Sequence, residues 1–220
     1  MRYAIYYCPA EDSELGRFGD SWLTGAAEAV PAISPRRMDE LLSDVRRYGW
    51  HATMRAPFAL SAGVVYADLR AAVFNIASTM NAFALPLQLD RLAGFLALRP
   101  HSDSAAVDAL AAACLHALES LCAPLPDGAL QRRAKGLDAA ELTLLHRYGY
   151  PYVLDRYRFH MTLSAPATAA EERSMRDWLA PLVAKLGPAK MDALAICQEA
   201  APGAPFTVVE RISLRTEPVA

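Results

Sequence analysis

Three features of the 220-residue sequence predict an α+β protein of two pseudo-symmetric lobes. Each lobe is expected to be an antiparallel-leaning sheet with packed helices, and His-x-Thr strands to face a central cleft. The first feature is a repeat. Tyr48-Gly49-Trp50-His51-Ala52-Thr53-Met54-Arg55-Ala56-Pro57 and Tyr157-Arg158-Phe159-His160-Met161-Thr162-Leu163-Ser164-Ala165-Pro166 share Tyr, His, Thr, Ala and Pro at the same offsets. The histidines stand 109 positions apart (160 − 51), a register that points to internal duplication. The second feature is that segments of helical spacing alternate with strand-like runs in both halves. The third is a composition of 54% hydrophobic and 21% charged residues, ample for a packed core and far from that of a disordered chain.

The elements follow in order. Arg2 to Cys8 is a run of aromatic and β-branched residues ended by Pro9, and reads as a strand. Leu15, Phe18, Trp22 and Leu23 give residues 11–24 one apolar helical face, and Pro31 and Pro35 mark Ala26 to Arg37 as a surface loop. A short helix over 38–47 leads into the first repeat. Val65, Leu69, Val73, Ile76 and Met80 recur at steps of three and four, a helix over 64–82. Leu85 to Leu98 reads as strand with a break at Gly94. Ser102, Asp103 and Ser104 offer N-caps for a helix reaching Cys122, and Pro124 to Gly128 reads as a turn. Asp138-Ala139-Ala140-Glu141 opens a short helix that stops near Gly149, and Thr168-Ala169-Ala170-Glu171 opens one reaching Gly187, kinked by Pro181. Two strands finish the chain; in the last, Phe206, Val208, Ile212 and Leu214 alternate with polar neighbours. The expected organisation is a single bilobal domain over 1–220, with lobes of about 1–100 and 101–220 that can exchange strands.

Charge and composition exclude several classes. A net charge of −2 and a pI near 6.2 leave no global basic field for long nucleic acid. No apolar run approaches the roughly 20 residues of a membrane helix, and Met1 to Pro9 lacks a signal-peptide pattern. Cys8, Cys114, Cys122 and Cys197 are scattered without metal or disulfide spacing, which fits a reduced, cytoplasmic protein.

The chemistry lies in the repeat. In a strand, side chains at i, i+2 and i+4 share a face, so His51, Thr53 and Arg55 are expected on one side, with Ala52 and Met54 on the other. By the same rule His160, Thr162 and Ser164 share a face. Two imidazoles across one cleft supply a base and an acid near neutrality. Two threonine hydroxyls are donors suited to phosphate oxygens, and Arg55 would add a bidentate charge. That kit suits a phosphodiester, with His51 and His160 catalytic and Thr53, Thr162 and Arg55 binding. Carboxylates are missing from both motifs, so neither a metal nor another cofactor is expected.

Quoted together, Arg47-Tyr48-Gly49-Trp50-His51-Ala52-Thr53 with Pro57-Phe58, and Tyr150-Pro151-Tyr152-Val153 leading to Arg158-Phe159-His160-Met161-Thr162-Leu163, resemble the two-histidine (2H) phosphoesterase superfamily, in its phosphonate-metabolism branch. The resemblance covers nearly the full chain. It departs from the branch pattern at Met54 and Arg55, where Leu and Lys commonly stand. It implies a two-lobed fold with a pseudo-two-fold axis and a 2′,3′-cyclic or related cyclic phosphodiester as substrate.

Other candidates have two readings each. Arg133, in the cluster Arg132-Arg133-Lys135, either grips phosphate or belongs to a solvated face. Tyr48 and Tyr157, with Tyr150 and Tyr152, either stack on a base or sugar of the substrate or pack in the core. Ser164 either lends a third hydroxyl or bonds a strand end. The expected partner is a small phosphorylated substrate, and the oligomeric state stays open. Two functions compete: a metal-independent cyclic phosphodiesterase, and a non-catalytic sensor of a phosphorylated metabolite using the same cleft.

Overall fold

The computed structural model describes residues 1–216, apart from the side chains of residues 26–29. In chain order the elements are β1 (Arg2–Tyr7), α1 (Glu14–Ala29), α2 (Pro35–Tyr48), β2 (Ala52–Phe58), α3 (Tyr66–Thr79), β3 (Phe83–Leu85), β4 (Leu87–Leu92), β5 (Phe95–Pro100), α4 (Ala105–Ala117), α5 (Asp127–Arg133), α6 (Ala139–Tyr148), β6 (Met161–Thr162), α7 (Ala169–Val183), β7 (Ala189–Met191), β8 (Ala193–Glu199) and β9 (Phe206–Ser213). This is a mixed α and β chain, as expected. Among the described residues, no helix is long and apolar enough to cross a membrane.

Seven strands make one sheet in the order β4-β5-β6-β2-β1-β8-β9, and β3 pairs with β7 separately. Every pairing of named strands is antiparallel. The two repeat copies supply β2 and β6, which are neighbours at the centre and meet at Ala52↔Met161. The sheet also crosses the halves of the sequence. The late strands β8 and β9 extend the β1 side, and the early strands β4 and β5 extend the β6 side.

One face of the sheet is dry. Ile5, Tyr7, Ala52, Met54, Leu98, Met161 and Leu163 pack there under Trp22, Leu41, Leu69, Cys114 and Leu179 from the helices. Side chains as fully buried as Ile5, Leu98 and Met161 each stabilise the fold by about 1.5–3 kcal/mol. The opposite face holds a smaller cluster of Ala4, Tyr6, Ala195, Cys197 and Phe206. Alternation along β1 produces both sets.

The structure corrects four local expectations. The loop over 26–37 shrinks to 30–34, because α1 continues to Ala29 and Pro35 opens α2. Ser34 caps that helix by accepting the Arg37 N–H, so this proline is a start signal at the first helical position. Strand over 85–98 resolves into three pieces: Pro86 separates β3 from β4, and Ala93 and Gly94 turn with φ of 48° and 91° between β4 and β5. Asp127 starts α5 inside the expected turn. The second His strand has two residues, because the chain leaves the sheet early: Leu163 N–H donates to Leu96 O and Ala165 N–H to Leu41 O in α2.

Trp22 of α1 fastens that exit. Its indole is fully buried and donates to Leu163 O at 2.8 Å, three residues after His160. Trp22→Phe should destabilise the protein by roughly 2–4 kcal/mol, from an unsatisfied buried carbonyl plus a cavity. Urea unfolding of the two proteins measures it; a loss under about 0.5 kcal/mol would show that Leu163 O finds another donor.

Candidate active site

The site is built on the β2–β6 pairing. Stepping one residue either way from Ala52↔Met161 sets His51 opposite Thr162 and Thr53 opposite His160. Each histidine therefore faces the threonine of the other copy, and all four side chains lie on the sheet face away from the main core. The neighbours extend the set. Tyr6 of β1 lies opposite Thr53, and Ala97 of β5 opposite Thr162, which carries Arg99 to His160.

Both imidazoles are held alike. His51 Nδ1 lies 2.8 Å from Gly49 O and His160 Nδ1 lies 2.7 Å from Arg158 O, in each case the carbonyl two residues earlier. A carbonyl only accepts, so each Nδ1 carries the proton and each Nε2 keeps its lone pair. Thr53 Oγ1 is 3.4 Å from His51 Nε2, a long contact in which the hydroxyl donates. Gly49 adopts φ 74°, which lets α2 end and its carbonyl turn back to the ring. Trp50 lies against Gly19 of α1, where an added Cβ would be 2.1 Å from the indole, and donates to Leu15 O. The residue before His51 is thereby fixed to α1.

The rings are desolvated unequally. Burial lowers the His51 pKa from its ordinary 6.5 to about 4; the Gly49 carbonyl opposes this, and the charge of His160 adds to it. The last influence requires the two imidazoles to sense one another. His160 is lowered chiefly by burial, with Arg158 O opposing and Arg99 adding to it. Tyr6 stacks on His51 with ring centroids 3.9 Å apart, whereas Phe95 stands 5.7 Å from His160.

Two hollows flank the pair. A cavity of about 330 Å³ beside Thr53 and His160 is walled by Phe95, Tyr150, Tyr152 and Tyr157. A hollow of about 630 Å³ on the other flank is walled by Tyr48, Gly49, Trp50, Phe206 and Arg211.

The tyrosines divide by role. Tyr48 stacks on Phe206 at 5.4 Å and stands 6.2 Å from His51. Tyr157 is tied into the frame, donating to Thr53 O at 2.9 Å, and burial pushes its phenol well up. Ser164 is fully buried and accepts the Leu96 N–H, so it is a strand-end residue. Arg133 is half-buried and donates to Gly149 O; burial, then Arg2, lowers its pKa. Among the described residues it has no carboxylate partner.

Arg55 departs from expectation. The β1–β2 register slips between Tyr6↔Thr53 and Ile5↔Arg55, so β2 is bulged at Met54 and strict alternation fails. Arg55 lies opposite Ile5, a residue of the main core, and is only 3% exposed. Its Nη2 donates to Tyr148 O at 3.0 Å and to Cys122 Sγ at 3.4 Å. A bulge leaves no mark in composition. Sequence reasoning also misses Tyr6 and Arg99, because only the strand register brings them to the histidines. Glu199, at 1% exposure, is a further surprise: it pairs with Arg2 and Arg47 at the end of β8. Arg2, then Arg47 and the Gly203 N–H, hold its pKa at about 2 against burial.

A family model described as "Protein of unknown function (DUF1045)" matches residues 53–207. A curated relative from Laribacter hongkongensis, named ribose 1,5-bisphosphate phosphokinase PhnN, is 36% identical over 99% of this chain and 55% of its own. The chain spans about half the length of the curated relatives it matches. Among solved structures, TT0787 of Thermus thermophilus aligns over 99% of this chain and 100% of its own, at 16% identity and a TM-score of 0.48. Escherichia coli LigT, complexed with 3′-AMP, aligns over 97% of each chain at 13% identity and a TM-score of 0.44.

The lowered histidine pKa values link stability to pH. Between about 6.5 and 4 the unfolded chain binds a proton at His51 that the folded chain refuses. Stability should therefore fall as pH drops through that window, and His160 acts in the same direction. His51→Gln should flatten the slope of melting temperature against pH over the window. An unchanged slope would show that the ring titrates normally.

Proposed function

The chain belongs to the DUF1045 family, and from that premise we propose that it is a metal-independent phosphodiesterase that hydrolyses a small cyclic phosphodiester by two-histidine acid–base catalysis. The observation that carries this reading is the cross-strand register, which sets the histidine of each copy against the threonine of the other on one open face. The name of the curated relatives supports a ribose phosphate as the framework of the substrate.

In this mechanism the phosphate sits between the two imidazoles and its non-bridging oxygens accept the Thr53 and Thr162 hydroxyls. His51, with the lower pKa and a tethered Nδ1–H, takes a proton from water at Nε2. The water oxygen bonds to phosphorus as the ring P–O bond breaks. His160, which the bound phosphate anion favours in its doubly protonated imidazolium form, delivers the Nε2 proton to the departing alkoxide, leaving a phosphate monoester. Charge develops on the phosphoryl oxygens, where preoriented donors act most strongly.

2′,3′-cyclic AMP in EDTA is the first test. His51→Ala and His160→Ala should each lower kcat/KM by about 10²–10⁴-fold. Thr53→Ala and Thr162→Ala each remove a hydrogen bond to a charged group, roughly 1.5–3 kcal/mol. Binding of the nucleotide without turnover would favour the sensor reading; near-parental rates in both histidine variants would end the catalytic one.

The pH profile gives a separate check. A base above about 4 and an acid whose pKa lies below 6.5 place the maximum of kcat/KM on the acid side of neutrality. Rates rising steadily from neutral into alkaline pH would exclude His160 as the acid.

A further inference from the structure

His51 and His160 each hold an Nδ1 proton on a backbone carbonyl, which fixes the tautomer of both rings. One hydrogen bond does not fix a ring's direction, because the last torsion of a histidine side chain has broad wells. The two copies differ in what the next strand adds. Either side of the β2–β6 pair, β1 flanks β2 and β5 flanks β6. Tyr6 stands opposite Thr53 in the first pairing, and Ala97 opposite Thr162 in the second. The position that brings a phenol ring to His51 brings a methyl group to His160.

Tyr6 is 1% exposed and stacks on the His51 ring, with centroids 3.9 Å apart and planes 29° from parallel. It is itself packed by Phe206 at 5.8 Å, which stacks on Tyr48. Phe95 stands 5.7 Å from His160 with its plane tilted by 56°, and makes no such stack. One imidazole is therefore held at an edge and a face, the other at an edge alone.

A general base has to keep its lone pair on the attacking oxygen, and a small misplacement costs much of the rate. In a cyclic diester the histidine that acts as base also decides which ring oxygen departs. Attack on phosphorus is in line, so the leaving oxygen is the one on the acid's side. The hollows on the two flanks are unlike, about 330 and 630 Å³, which gives the rest of a substrate unequal places to lie. With 2′,3′-cyclic AMP, water bonds to phosphorus and one ring P–O bond breaks in either assignment of roles. One assignment leaves the 3′-monophosphate and the other the 2′-monophosphate.

We propose that Tyr6 is a positioning residue whose ring fixes the direction of the His51 imidazole, and that this commits His51 to the base's role and one ring oxygen of the diester to departure. The second clause rests on the phosphodiesterase reading; the first stands on the stacking alone.

The two monophosphates formed from 2′,3′-cyclic AMP are separated by chromatography for the parent, Tyr6→Phe and Tyr6→Leu, with Tyr6→Met replacing the Leu variant if that does not fold. The parent and Tyr6→Phe should give one isomer over the other by at least about tenfold. In Tyr6→Leu the ratio should fall below about threefold, with kcat lowered by about 10–100-fold and KM little changed. In parallel, the Nδ1–H resonance that disappears in His51→Gln is followed by NMR without substrate. It should be sharp in the parent and in Tyr6→Phe and broadened or lost in Tyr6→Leu, while that of His160 stays as it was. An isomer ratio or a His51 resonance unchanged in Tyr6→Leu, a mixture of isomers from the parent, or the same losses in Tyr6→Phe would each overturn the proposal. No turnover by any of the proteins, with the His51 resonance broadened in Tyr6→Leu alone, would leave the hold of Tyr6 on the ring standing and remove the phosphodiesterase reading.

Discussion

The arrangement depends on one short contact, the antiparallel pairing of β2 with β6 at Ala52↔Met161. Side chains alternate across a sheet with a period of two, so a slip of one residue would send His160 and Thr162 to the dry face. Only two residues of β6 are strand, and backbone pairing that short is a weak constraint on register. The register is specified from outside the pair. Met161 and Leu163 are fully buried under the helices, Trp22 holds Leu163 O, and Leu41 O receives the Ala165 N–H. A mismatch would bury polar groups and expose apolar ones. The face that carries the histidines is thus kept in order by the packing of the opposite face.

Charge is handled with similar economy. Several arginines around the sheet's open face are already committed: Arg2 and Arg47 to the buried Glu199, Arg99 to Asp90, Arg211 to Asp192. Surface ion pairs of this kind contribute little to stability, but they keep guanidinium groups in fixed positions. Desolvation remains the main influence on both imidazoles, with the charge of His160 adding to it at His51 and that of Arg99 at His160. Their lowered pKa values favour neutral rings, and in the proposed reaction the phosphate of the substrate would supply the charge that favours protonating one of them.

The duplicated decapeptides make the histidine and threonine positions legible, because residue types repeated at fixed offsets signal more than packing. Helix starts with side-chain caps, at Asp138 and Thr168, are equally legible and appear as reciprocal capping boxes. What fails does so for identifiable reasons. Alternation misplaces Arg55 because a bulge shifts it without altering composition. Arg99 and Tyr6 reach the site through pairings between strands remote in sequence, which a linear pattern does not encode. Pro35 reads as a loop residue beside Pro31, although its position after Ser34 suits a helix start.

The order of strands has a consequence for how the molecule is made. Tyr3 of β1 pairs with Gln198 of β8, a loop closure of 195 positions (198 − 3). Contacts this remote slow folding, because chain entropy is lost before the contact repays it. On a ribosome, β1 emerges well before β8, so that edge of β1 stays unpaired until the chain has been synthesised past residue 199. The half of the sheet that bears His51 therefore completes after the other half, although β1 and β2 precede β4, β5 and β6 in the sequence. Until then β1 presents an open edge with three tyrosines, a surface that invites pairing with other chains.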